Sequence, residues 1–104
     1  MSIYTNSDGV LTIELPRMLG SRTKAIAITS ELKDMLDGQT IEVIGTDCPG
    51  ATGSFVDEFC TQLFTYRNAE HIVFINMPET FEENARFFSI VRGYSHQLSF
   101  SIRN

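Results

Sequence analysis

Apolar and polar positions along this chain change period several times, and each change marks an element. Leu11, Ile13 and Leu15 alternate with Thr12 and Glu14, the two-residue period of a strand with one buried and one wet face. Ile3 and Tyr4 precede it across Asn6-Ser7-Asp8-Gly9, where Asp-Gly supplies the positive φ of a tight hairpin, and Pro16 ends the second strand. From Ser21 to Asp37 the period turns helical. Ala25, Ile28, Leu32, Met35 and Leu36 fall on one stripe, Lys24, Glu31 and Asp34 lie off it, and Gly38 closes the helix. Ile41 to Ile44, a short, strongly apolar run, predicts a central strand covered on both faces.

A turn from Asp47 to Gly53 then hands into a second helix. Ser54, with an acid three residues on and an apolar run behind it, reads as the N-cap, its hydroxyl accepting from an N–H near Asp57. Asp57, Glu58, Thr61, Gln62 and Thr65 are assigned to the polar face of this helix, and Phe55, Val56, Phe59, Leu63 and Tyr66 to the apolar one. His71 to Asn76 is the next buried strand. Pro78 suits the first turn of a third helix, whose stripe is Phe81, Ala85, Phe88 and Val91, and the alternating tail His96 to Ile102 predicts a last strand at a sheet edge. The order β-β-α-β-α-β-α-β describes one small α/β layer structure with a mixed sheet. The two strands of Ile41 to Ile44 and His71 to Ile75 are expected to be central, parallel and almost wholly buried.

Composition narrows the function classes. A chain of 104 residues with 42% hydrophobic content builds one core, so a single domain over 1–104 is expected. The net charge of -5 has the wrong sign for a phosphate-backbone surface, which argues against direct nucleic-acid binding. The opening residues Met1 to Gly9 have no leader pattern, and no apolar run approaches the roughly 18 residues of a membrane span, so a cytoplasmic protein is expected. Cys48 and Cys60 have neither metal nor disulfide spacing.

From about Arg17 to Arg92 the chain resembles the STAS-like domains of unknown function found in bacteria, relatives of the anti-sigma factor antagonists. The residues that carry the likeness are Ser21-Arg22 with Ala25, Ser54-Phe55-Val56-Asp57-Glu58-Phe59, and Asn76 at the end of the following strand. In the antagonists a serine at the start of this helix is phosphorylated by a kinase-like anti-sigma factor, and the added charge dissociates the complex. Ser54 occupies the similar position. The resemblance implies a non-enzymatic regulatory module with a protein partner, such as a kinase-like ATPase, and no cofactor. Ser54, Asp57, Glu58, Thr52 and Asp47 are the candidate partner-binding or phosphoacceptor residues, and Phe55, Phe59 and Asn76 the structural part of the motif.

Other chemistries find less support in the residues. Asp57 and Glu58 are adjacent on a helix, pointing about 100° apart, so they do not converge on one atom as an acid/base pair would. Cys48 has no assignable histidine partner, and a thiol enzyme using it is the third reading. His71 and His96 lack neighbouring ligands, and the glycines match no nucleotide-binding spacing. A second reading, from a different class, makes the turn Asp47 to Gly53 the rim of a small-ligand site in an accessory domain. Homo-oligomerisation stays open.

Overall fold

A computed structural model describes residues 1–104. Strand β1 (Ser2–Thr5) pairs antiparallel with β2 (Leu11–Glu14), and α1 (Arg22–Thr29), β3 (Thr40–Ile44), α2 (Gly53–Thr61), β4 (His71–Ile75), α3 (Glu79–Arg92) and β5 (Leu98–Ser101) follow. The strands lie in chain order in one five-stranded sheet, with β2 to β5 parallel. Parallel neighbours need a crossover, and each helix supplies one. The fold is therefore the expected α/β structure with a mixed sheet.

Register explains which side chains meet the helices. Ile13, Val43, Phe74 and Phe100 are successive partners across β2 to β5, and the first three join Ala25, Ile28, Phe55, Phe59, Phe81 and Ala85 in one buried cluster that Phe100 packs against. The alternate residues, Thr12, Glu42, Val73 and Ser99, pair on the opposite face. Strands β3 and β4 are central and parallel as predicted. They are not wholly buried, because the helices cover one face only: Glu42, Ile44, His71 and Val73 keep partial exposure on the other. The continuous run Ile72 to Ile75 conceals this half-open face in β4, whereas Glu42 marks it in β3.

Helix α1 begins at the predicted cap, where the Ser21 hydroxyl accepts from Lys24 N at 3.1 Å. It stops at Thr29, two turns short of the predicted end. Thr29 Oγ1 donates to the carbonyl of Ala25 and Ser30 Oγ to that of Ala27, local bonds that compete with helix continuation. The Arg67 guanidinium then donates to the carbonyls of Thr29, Leu32 and Asp34, holding the next turn open as a loop. Leu32 and Leu36 still reach the core, whereas Met35 is 51% exposed, and Gly38 (φ +71°) serves the turn into β3 instead of closing the helix.

Two further stripes differ from the sequence expectation. The end of α2 widens into a π-helical turn over Gln62–Tyr66, which rotates the following side chains and leaves Tyr66 exposed while Leu63 and Phe64 stay inside. In α3 the buried row is Phe81, Ala85 and Ser89, so Val91, predicted inward, is 64% exposed.

Candidate functional site

The first turn of α2 follows from what precedes it. Thr52, extended at φ -77°, takes the cap: its side chain accepts from Phe55 N at 3.2 Å. Its own N–H donates to the Leu19 carbonyl at 3.1 Å, which fixes the loop against the segment entering α1. Gly53 fits beside α3 because a Cβ there would stand 3.1 Å from Asn84 Oδ1 and 3.7 Å from Phe88 Cε2. Ser54, predicted as the cap, is the second residue of the helix and is exposed. The close approach of Gly53 to α3 and the anchoring of Thr52 favour the earlier start. Thr52→Ala is accordingly expected to cost about 1 kcal/mol and Ser54→Ala only a few tenths, as a pair of urea denaturation curves would measure.

Asp57 lies one turn further on and was assigned to the polar face. It is 1% exposed. Its Oδ2 accepts from Arg22 Nη1 at 3.0 Å and from Arg92 Nη2 at 2.8 Å, and its Oδ1 accepts from Arg92 Nε. Arg22 opens α1 and Arg92 closes α3, so one carboxylate ties three helices together. The hydrogen bonds from Arg92, and the one from Arg22, hold the Asp57 carboxyl below the usual range against the opposing effect of burial. Arg22 also stands 3.7 Å from Glu58 Oε1, and Glu58 accepts from Gln62 Nε2 at 2.9 Å. The two segments that carry the family likeness, Ser21-Arg22 and Ser54 to Phe59, thus meet in one ion-pair network. Arg92 was not singled out from sequence, since a basic residue in the last turn of a helix is accounted for by the helix dipole alone.

This network has a signature in pH. A carboxyl whose folded-state value is depressed contributes stability that is present above its unfolded value, near pH 4, and is lost as pH falls through the folded value. Asp57→Asn should therefore unfold at lower denaturant at neutral pH, with the gap to the native chain closing as pH falls below about 4. Parallel slopes for both proteins over that range would exclude Asp57 as the source.

The remaining candidates lie apart. Asp47 is exposed and lines a shallow 160 Å³ cleft with Glu14, Leu15, Ile44 and Thr46. Pro49 to Thr52 line a separate open cleft of about 460 Å³ with Arg17 and Thr80. Asn76, at φ +55°, exchanges two 2.8 Å hydrogen bonds with the Arg103 backbone and so clasps the segment after β5. Cys48 is buried with its thiol 2.9 Å from the Pro16 carbonyl, and burial and then Asp47 push that thiol up, away from the reactive thiolate. Burial pushes the Cys60 thiol up to about 12. No three His, Cys, Asp or Glu side chains stand together as a metal site, and no helix is long and apolar enough to cross a membrane.

No protein family, curated protein or solved structure matches this chain. The STAS-like likeness therefore rests on the residues named above. Beside them, α3 presents an outward apolar stripe: Phe87 is 60% and Ile90 73% exposed, with Val91 between them and the row of Asn84, Phe88 and Arg92 that faces α2. Sequence pattern had placed Val91 inside and had not assigned Phe87 or Ile90 to any face.

Proposed function

We propose that this chain is a non-enzymatic bacterial regulatory module that binds a protein partner through the first turn of α2 and the adjoining face of α3, in the manner of anti-sigma factor antagonists. One observation carries the reading. Phe87, Ile90 and Val91 form an exposed apolar stripe on α3, whose Asn84 and Phe88 stand against Gly53, the neighbour of the exposed Ser54, and apolar side chains clustered on a surface mark interaction sites. Arg92, beside Val91 in sequence, joins Arg22 and Glu58 through Asp57, so charged groups adjoin this face. A kinase-like ATPase in the cytoplasm is the class of partner the resemblance suggests.

Ser54 is the regulated residue in this reading. A phosphate there would add about -1.5 to -2 charges at a helix start, where free N–H groups and the helix dipole tolerate it. Asp57 does not oppose it, being already neutralised by two arginines, so modification leaves the module folded. A packed interface, by contrast, would have to bury a dianion. Ser54→Asp should weaken the partner complex at least tenfold and Phe87→Ser comparably, whereas Ser54→Ala leaves it nearly unchanged. Titration calorimetry against a partner identified by affinity capture reads all three. Equal affinity for Ser54→Asp and Ser54→Ala would end the switch, and an unaffected Phe87→Ser would end the docking face.

The alternative, a small-ligand accessory domain, draws on the cleft of about 460 Å³ beside Pro49 to Thr52. Its rim excludes Asp47, and it opens broadly to solvent. Saturable chemical-shift changes confined to Gly50, Ala51 and Thr52 on adding a metabolite mixture would favour it.

A further inference from the structure

The early end of α1 leaves the inner face of the β1–β2 hairpin without a helix over it. A cleft of about 290 Å³ results, close to the lower size of small-ligand sites. Its floor is aliphatic: Ile3 and Leu11 from the hairpin, Leu32 and Leu36 from the loop after α1. The loop wall is fixed, because Arg67 binds the carbonyls of Thr29, Leu32 and Asp34 and the Leu36 N–H donates to the Arg67 carbonyl at 2.7 Å. The cleft is thus held open without a ligand, the condition under which little ordering entropy opposes binding.

The mouth has a chemical preference. Glu31, Asp34 and Lys33 stand there, all exposed. The ion pairs of the chain engage Asp57, Glu58, Glu82 and Glu42, which leaves the Glu31 and Asp34 carboxylates free. Two free carboxylates against one ammonium, on a chain of net charge -5, favour a cation. We propose that this cleft binds a small organic amine, its apolar body on Ile3, Leu11, Leu32 and Leu36 and its ammonium between Glu31 and Asp34. The site is independent of the partner face: Leu11 and Gln39 mark the starts of β2 and β3, whereas α2 follows the far end of β3.

The test uses the full chain with methyl-labelled Ile and Leu, titrated with 2-phenylethylamine, with 3-phenylpropionate as the matched anion and methylammonium as the charge without a body. The amine should give saturable shifts at Ile3, Leu11, Leu32 and Leu36, at least tenfold tighter than the carboxylate, with methylammonium giving none. Added salt should narrow the gap, since the carboxylates are at the surface. The double variant Glu31→Gln, Asp34→Asn, both sites exposed and unpaired, should fold normally and lose the preference for amine. Leu11→Phe should fill the floor and abolish the shifts while the α2 and α3 resonances stay in place. Absence of saturable shifts, equal binding of amine and carboxylate, or shifts centred on α2 and α3 would each overturn the proposal.

Discussion

Replacing Arg92 with alanine should destabilise the protein appreciably more than replacing Asp57 with alanine, which should cost on the order of 1–2 kcal/mol. The asymmetry follows from where each charge sits. Asp57 is 1% exposed, so removing Arg92 strips two of the three arginine hydrogen bonds from a buried carboxylate. The arginine side chains are 48% and 45% exposed, so when Asp57 is removed their guanidinium groups simply hydrate. A surface salt bridge would give small and nearly equal losses from either side. Chemical denaturation of the two variants, with the double variant to close the thermodynamic cycle, measures the difference. A larger loss for Asp57→Ala than for Arg92→Ala would mean that the carboxylate is not the stranded partner.

Phe59→Ala should be severe, at about 3–5 kcal/mol. The ring is wholly buried, stacks on Phe55 at 5.4 Å between centroids and meets Phe81 edge-on at 6.4 Å, so truncation leaves a cavity bounded by two other rings that cannot follow it. Phe59→Leu keeps most of the volume and should recover more than half of the loss. If Phe59→Ala unfolded at the same urea concentration as the native chain, the apolar side of α2 would have to face a partner instead of the sheet.

These two residues also show what sequence could and could not provide. Phe59 was legible, because a strong apolar period in α2 has one physical outcome, burial against the sheet. The alternation in β2 and the hairpin turn were legible for the same reason: they are decided within a few residues. Asp57 was misplaced, since helical phase puts it on the polar side of α2 and only the arrival of Arg22 and Arg92 from other helices makes its burial tolerable. Val91 and Phe87 were harder still. Which side of α3 meets the core depends on how the helix rolls on the sheet, and an apolar residue looks the same in a core as on a binding face. The cap failed for a local reason, two hydroxyls two residues apart, resolved by the contact of Gly53 with α3.

The loop wall held by Arg67 has a consequence for the energy landscape. The segment from Ser30 to Asp37 carries a helical period that its own fold does not use, so local preference and global structure disagree there. Such disagreement marks a segment whose native shape depends on tertiary bonds and not on local preference. Its native shape is imposed from a distance by Arg67, just past the end of α2, through its guanidinium and its backbone carbonyl. Cut out as a peptide it would follow its own period, so the wall that holds the cleft open is also the one whose conformation is least its own.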